Sequence, residues 1–205
     1  MKLSDNTLSL LKNFSTINTS ILFKKGNKLR TISVMKNILA EATVTEEFMK
    51  DFGIYDLNEF IGVLGLVDTP RLKFRDEYVT VGDSVGRSEV KYFFSAEDTL
   101  TTSQKDITMP DPDVSFVLTN DTLNKLKRAA STLGHNEVSI TGKDGVLSLS
   151  VVDSQNSTSN TFSIDVDGEF KPDVNFNFII SIGNLKILPG DYEVVISKQN
   201  ASLFR

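Results

Sequence analysis

The stretch Thr119-Asn120-Asp121-Thr122-Leu123-Asn124-Lys125-Leu126-Lys127-Arg128-Ala129-Ala130-Ser131-Thr132-Leu133-Gly134 contains a start, a stripe and a stop for an amphipathic helix. Thr119, Asn120 and Asp121 are residue types whose side-chain oxygens accept the orphan N–H groups of a first helical turn. Leu123, Leu126, Ala130 and Leu133 recur at helical spacing and predict a buried stripe. Gly134 suits the left-handed position that ends a helix. Asp121, Lys125, Arg128 and Thr132 also fall at helical spacing, on a face opposite or flanking the leucines.

The same plan occurs earlier in the chain. Ser4-Asp5-Asn6 precedes Leu8, Leu11 and Phe14, with Leu10 beside them. Thr7-Leu8 aligns with Thr122-Leu123, and Leu11-Lys12 with Leu126-Lys127. Each helix leads into a hairpin-like stretch. In the first half, residues 19–23 and 29–34 flank Lys24-Lys25-Gly26-Asn27-Lys28; in the second, residues 137–141 and Val146–Val152 flank Gly142-Lys143-Asp144-Gly145. Asp144-Gly145 is a strong signal for a two-residue turn with positive φ.

A short second helix is expected in each half, over residues 55–66 and 182–188. Residues 79–81, 89–94, 161–166 and 176–180 read as strands. Pro110 and Pro112 mark residues 103–113 as a connector. The reading is therefore α+β: two similar domains of antiparallel sheet with two helices each. Their expected bounds are residues 1–104 and 114–205, joined by a connector at 105–113.

The 40% hydrophobic and 24% charged content is that of a folded chain with an ordinary core. No run approaches the roughly 18 apolar residues of a membrane span, and Met1-Lys2-Leu3-Ser4-Asp5 lacks the apolar region of a signal peptide. The chain has no cysteine, which removes disulfides and thiolate chemistry and suits a reducing cytoplasm. Its net charge of −5 means that any affinity for nucleic acid must come from a local concentration of Lys and Arg.

The helices supply such a concentration. Lys125, Lys127 and Arg128 lie on the second-half helix against Asp121. The matching face of the first helix has Ser9, Lys12, Asn13 and Thr16, and Lys186 falls in the expected helix at 182–188. Asp56 and Glu59 make the other first-half helix less basic. Lys is a hydrated point charge suited to phosphate contact without sequence reading. The plainer reading is that these charges solvate helix faces. Lys24, Lys25, Lys28 and Arg30 form a second basic group, which reads first as a soluble hairpin tip and otherwise as a contact for phosphates or a partner protein.

Catalytic constellations are lacking. His135 is the single histidine and follows a helix end, where it can cap carbonyls. Gly142-Lys143-Asp144-Gly145 lacks the spacing of a phosphate-binding loop. Asp165, Asp167 and Glu169 could attract a divalent cation but read more simply as a charged strand edge that blocks unwanted pairing. No enzyme activity, cofactor or metal site is expected.

Three stretches carry a family resemblance. They are Leu11-Lys12-Asn13-Phe14 running into Ile21-Leu22; Tyr55-Asp56-Leu57-Asn58 leading to Phe60 and Leu64-Gly65-Leu66-Val67; and Phe176-Asn177-Phe178 with Asn184-Leu185-Lys186-Ile187 and Pro189-Gly190-Asp191-Tyr192. In order and spacing, over nearly the whole chain, they resemble the sliding clamp of T-even-like tailed bacteriophages. The resemblance implies the DNA clamp fold, a homotrimeric ring with helices lining the hole, and a non-catalytic polymerase accessory that confers processivity by encircling duplex DNA. It implies double-stranded DNA, a DNA polymerase and a clamp loader ATPase as partners, with transcription coactivators beside them, in the cytoplasm of an infected bacterium.

On this resemblance Lys12, Lys125, Lys127, Arg128 and Lys186 become DNA-facing residues. Ile107 and Met109 on the connector, with Leu188, Pro189 and Tyr192 opposite, become a pocket for partner peptides, although local core packing explains them equally well. Residues 89–94 and 161–166 become the strands that close the ring. The family usually continues past Ser202-Leu203-Phe204-Arg205 with another strand, which leaves the C-terminal edge of the second half and part of the pocket wall open. The alternative is a non-catalytic phage structural or assembly protein, which gives no reason for cations to gather on outward helix faces.

Overall fold

Ser4 is extended (φ −75°, ψ 158°), and its Oγ accepts the Thr7 N–H at 3.2 Å, which starts α1 (Asp5–Ile17). The same device starts the equivalent helix of the second half. There Thr119 Oγ1 accepts the Thr122 N–H at 3.1 Å and opens a helix over Asn120–Leu133. These caps satisfy N–H groups that have no partner within their own helix. The computed structural model describes residues 1–103, 107–171 and 175–205. The chain divides into two units, Met1–Asp106 and Ile107–Arg205. Residues 104–106 of the expected connector lie outside the described residues.

In the first unit α1 is followed by β1 (Ile21–Phe23), β2 (Gly26–Ile32), β3 (Leu39–Phe48), β4 (Phe52–Ile54), α2 (Leu57–Gly65), β5 (Arg71–Phe74), β6 (Tyr78–Gly82) and β7 (Glu89–Phe93). A 3₁₀ turn over Glu97–Thr99 follows. All pairings are antiparallel: β1 with β4, β2 with β3, and β5-β6-β7 in order. The expected hairpin around Lys24-Lys25-Gly26 does not form as such. Ile21, Leu22 and Phe23 instead face Ile54, Gly53 and Phe52, which come much later in the chain. Helix α1 buries Leu11, Phe14 and Ile17, and α2 buries Leu57, Phe60 and Leu64, in one core with strand residues such as Ile21, Ile54 and Val79. Phe23 stacks on Phe52 at 4.5 Å between ring centroids, and Phe48 meets both edge-on. Each such side chain contributes roughly 1.5–3 kcal/mol through the apolar surface it removes from water.

The second unit runs β8 (Val114–Leu118), α3 (Asn120–Leu133), β9 (Glu137–Lys143), β10 (Val146–Val152), β11 (Phe162–Val166), β12 (Gly168–Phe170), β13 (Phe176–Ser181), β14 (Tyr192–Ser197) and β15 (Ala201–Phe204). Two antiparallel sheets result, ordered β11-β10-β9-β13 and β12-β8-β14-β15. Asp144 (φ 53°) and Gly145 (φ 80°) make the expected two-residue turn, which sets Lys143 opposite Val146. Leu123, Leu126 and Ala130 of α3 pack with Phe116, Ile140, Leu149 and Val194. Gly134 (φ 72°) ends α3 in the left-handed region, and the His135 ring donates to the Asn160 carbonyl at 2.8 Å.

Two helices per half is an expectation that the structure corrects. Residues 182–188 hold only a 3₁₀ turn over Ile182–Asn184, so the described residues contain α1, α2 and α3 as their α-helices. Gly183 and Asn184 are poor helix formers, and Pro189 pushes Leu188 out of the helical region. Lys186 therefore does not sit on a helix. The chain's last residues form a strand, with Val194 opposite Phe204.

Candidate nucleic-acid interface

With Leu123, Leu126 and Ala130 buried, helical geometry turns Asn124, Arg128 and Ser131 directly outward, and all three are exposed. Asp121, Lys125 and Thr132 occupy one exposed flank of α3, while Lys127, half-buried, takes the other. Lys125 Nζ lies 2.6 Å from Asp121 Oδ2, so its charge is partly answered within the helix. The Thr132 hydroxyl donates to the Arg128 carbonyl at 2.9 Å. Arg128 is thus at the centre of the cationic face, with Lys125 and Lys127 on either side.

On α1 the corresponding outward residues are Ser9, Lys12 and Thr16, all exposed, with Asn13 partly so. Lys12 is the cation of that face, which Asp5 shares one turn and more away. The exposed residues of α2 include Asn58, Glu59, Gly62 and Gly65, and none of its residues is a cation. The Glu59 carboxylate accepts from the Tyr92 hydroxyl at 3.2 Å; burial, with the Glu59 charge beside it, pushes that phenol up to about 12. Lys186 is half-buried on the segment after the 3₁₀ turn.

In the second basic group Lys24, Lys28 and Arg30 are paired with carboxylates. Lys24 Nζ lies 3.1 Å from Asp51 and 3.5 Å from Glu97; Lys28 and Arg30 both meet Glu41, at 3.6 and 2.5 Å. The hydrogen bond to Asp51 raises the Lys24 ammonium above its ordinary range, and Arg30 holds the Glu41 carboxyl below its own. These carboxylates arrive from β3, the β3–β4 turn and the 3₁₀ turn, so no local pattern could reveal them. The cluster reads as a solvent-facing surface held by ion pairs.

Two helix-fastening carboxylates were also invisible in sequence. Glu46, buried on β3, accepts from the Ser4 N–H and from the Thr7 hydroxyl, the latter at 2.6 Å. Asp191 Oδ1 accepts the Asn120 N–H at 2.7 Å and ties the start of α3 to the segment before β14. Each brings a negative charge to the positive end of a helix dipole.

Of the expected pocket residues, Leu188 and Tyr192 come together: the Tyr192 hydroxyl donates to the Leu188 carbonyl at 2.8 Å. Burial raises the Tyr192 phenol above its ordinary value. Pro189 is exposed between them. Ile107 is 66% exposed, and Met109 is half-buried on the segment leading to β8. Among the described residues no group of His, Cys, Asp or Glu is arranged to hold a metal ion, and no helix is long and apolar enough to cross a membrane.

Residues 3–109 match the model of the family described as DNA polymerase processivity factor. Residues 115–205 match that described as gp45 sliding clamp, C terminal. The chain is 31% identical over 210 residues to the sliding clamp of Vibrio phage KVP40, covering 100% of this chain and 94% of that protein. It is 33% identical to the sliding clamp of Escherichia phage RB69 over 96% of this chain and 87% of that one. The corresponding figures for Enterobacteria phage T4 are 32%, 100% and 92%. In fold it is similar to PCNA from Thermococcus kodakaraensis, with a TM-score of 0.67, 14% identity and coverage of 96% and 92%.

Proposed function

Because this chain belongs to the phage sliding-clamp family of DNA polymerase processivity factors, we propose that three copies close into a ring around duplex DNA, with α1 and α3 turned to the hole. The family is a non-catalytic accessory to DNA polymerase, so function rests on binding and topology rather than on a reaction. The reading as a phage structural or assembly protein is not favoured by these matches.

The observation that carries this reading is the exposed cationic face of α3 in a chain of net charge −5. Fields from exposed charges fade within about 8–10 Å at physiological salt. Arg128, Lys125 and Lys127 therefore attract phosphate locally while the acidic remainder repels DNA from other surfaces. Lys12 on α1 and Lys186 beyond the 3₁₀ turn add weaker contacts. Serines, threonines and asparagines between them exchange hydrogen bonds as the duplex moves, without reading bases.

Encirclement then prevents dissociation, and weak contacts permit sliding. Edge strands β7 and β11 join successive copies. Ile107, Met109, Leu188, Pro189 and Tyr192 receive one or two apolar anchors from partner tails. The partners are a DNA polymerase, an ATP-driven clamp loader and transcription coactivators, in the cytoplasm of an infected bacterium. Residues 1–104 and 114–205 act as the repeated domains, with residues 105–113 as their connector.

The test is topological. Clamp placed on circular DNA by its loader should stay bound through gel filtration and be lost when the circle is cut once. Equal retention on cut and uncut DNA would overturn encirclement. Sedimentation should give a species of three chains of 22.7 kDa each.

A further inference from the structure

We infer that β7 of one copy pairs antiparallel with β11 of the next in a single register, the one that sets Lys91 opposite Asp165. This rests on the ring reading above and adds the register and the residue pairs that select it.

Both strands lie at the edge of their sheets and both are five residues long. Their open sides follow from the ladders already formed. The Phe94 N–H donates to the Glu77 carbonyl at 2.9 Å, and the Ser88 carbonyl accepts the Asp83 N–H at 3.2 Å. Residues 88, 90, 92 and 94 thus spend their backbone groups on the β6 side. Alternation leaves the N–H and C=O of Glu89, Lys91 and Phe93 on the open edge. In the other sheet, the two-residue turn makes Lys143 and Val146 a hydrogen-bonded pair. Counting along the ladder, Leu147, Leu149 and Val151 point to Val166, Ile164 and Phe162, so Ser163 and Asp165 face the open edge.

Side chains impose the same parity. Val90, Tyr92 and Phe94 are half-buried, as are Phe162, Ile164 and Val166, while Glu89, Lys91, Phe93, Ser163 and Asp165 are exposed. A shift by one residue would set apolar side chains against polar ones and misalign the backbone donors. Only shifts by two remain.

With Lys91 opposite Asp165, the apolar pairs are Val90 with Val166, Tyr92 with Ile164 and Phe94 with Phe162. The 62% exposed Phe93 then lies opposite the small Ser163. Asp165 is already held in place by the Ser148 hydroxyl at 2.6 Å, and Lys91 Nζ lies 5.6 Å from the Tyr78 ring centre. Glu89 falls opposite Asp167, one residue past the end of β11. A shift of two in one direction sets Glu89 against Asp165, and in the other it sets Phe93 against Asp165. The first shift also sets Ser88 against Val166; the second moves Lys91 to Asp167, past the end of β11, and Val90 to Gly168, so each keeps two of the three apolar pairs.

The chain has no cysteine, so introduced pairs report without interference. Directly opposed residues in a hydrogen-bonded pair have Cα atoms about 5.5 Å apart, within disulfide reach, whereas diagonal neighbours at about 7–8 Å are beyond it. Phe93→Cys with Ser163→Cys should cross-link copies into covalent dimers and trimers under oxidation, and Phe93→Cys with Asp165→Cys should not. Separately, Lys91→Glu or Asp165→Lys should each weaken association about three- to tenfold per interface, and the combined reversal should restore it.

A trimer by sedimentation that cross-links through positions 93 and 165 instead, or a combined reversal that restores nothing, overturns the register and leaves the ring standing. A chain that stays monomeric at every concentration overturns both.

Discussion

Glu46 Oε2 accepts a 2.6 Å hydrogen bond from the Thr7 hydroxyl, joining the first turn of α1 to the C-terminal end of strand β3. The same carboxylate takes the Ser4 N–H. Burial pushes Glu46 up, but these bonds outweigh it and hold the group below the ordinary glutamate value of 4.5. A depressed folded pKa means that the stabilisation is fully present above the unfolded value and is lost as pH falls through the folded one. Glu46→Gln should lower stability by about 2 kcal/mol at neutral pH, the scale of a charge-assisted hydrogen bond. In urea unfolding the difference from wild type should shrink below about pH 4.

The Asp121–Lys125 pair makes the cations of α3 unequal. Arg128→Ala should lower the salt dependence of DNA binding by close to one unit of log–log slope per contact removed, and Lys125→Ala by less. Asp121→Asn should release Lys125 and strengthen binding about twofold, the worth of an exposed pair of this spacing. Salt titrations by fluorescence anisotropy on short duplexes check all three.

Asp83 organises the turn that delivers β7. Its carboxylate accepts the N–H groups of Val85, Gly86, Arg87 and Ser88 and the Ser88 hydroxyl, and these bonds, the hydroxyl's foremost, hold it below the usual aspartate range. Asp83→Ala should raise amide hydrogen exchange across residues 85–91 while the Phe-rich core of the same unit stays protected. Protection lost equally throughout the unit would mean that the turn is part of the global unfolding unit.

Glycine positions should separate sharply. At Gly134 an added Cβ meets nothing within 4 Å, so Gly134→Ala costs only the left-handed backbone penalty, about 1 kcal/mol. At Gly53 the Cβ would lie 2.5 Å from the Ser95 carbonyl oxygen and 2.6 Å from Leu100. Gly53→Ala should cost about 3 kcal/mol, at the upper end for overpacking, because a backbone oxygen cannot step aside. Thermal unfolding of the two variants measures the contrast.

The caps at Ser4 and Thr119, the stripe of α3 and the Asp144-Gly145 turn were legible because each is written within a few consecutive residues. Strand partners were not. β1 and β4 are short and largely buried, so neither shows an alternation that would name its mate. The helix expected at residues 182–188 failed because a run of apolar spacing carried Gly183 inside it and Pro189 behind it. Of the candidate DNA-facing side chains, those on α1 and α3 could be placed by periodicity. The Asp121–Lys125 pair is local as well, whereas the carboxylates that answer the other basic group, Glu41, Asp51 and Glu97, come from distant segments.

In the proposed ring, the carboxylates of Glu46 and Asp191 would have a consequence for motion along DNA. A helix start with idle N–H groups is a ready receptacle for a phosphate, and a receptacle on a moving track is a brake. Here both long helices arrive with that seat taken by the protein's own acid. A duplex passing α1 and α3 would meet swaying side-chain cations and no fixed notch, so the energy landscape along the track would be shallow from one phosphate to the next. The protein would gain speed by having spent its best anion-binding geometry on itself.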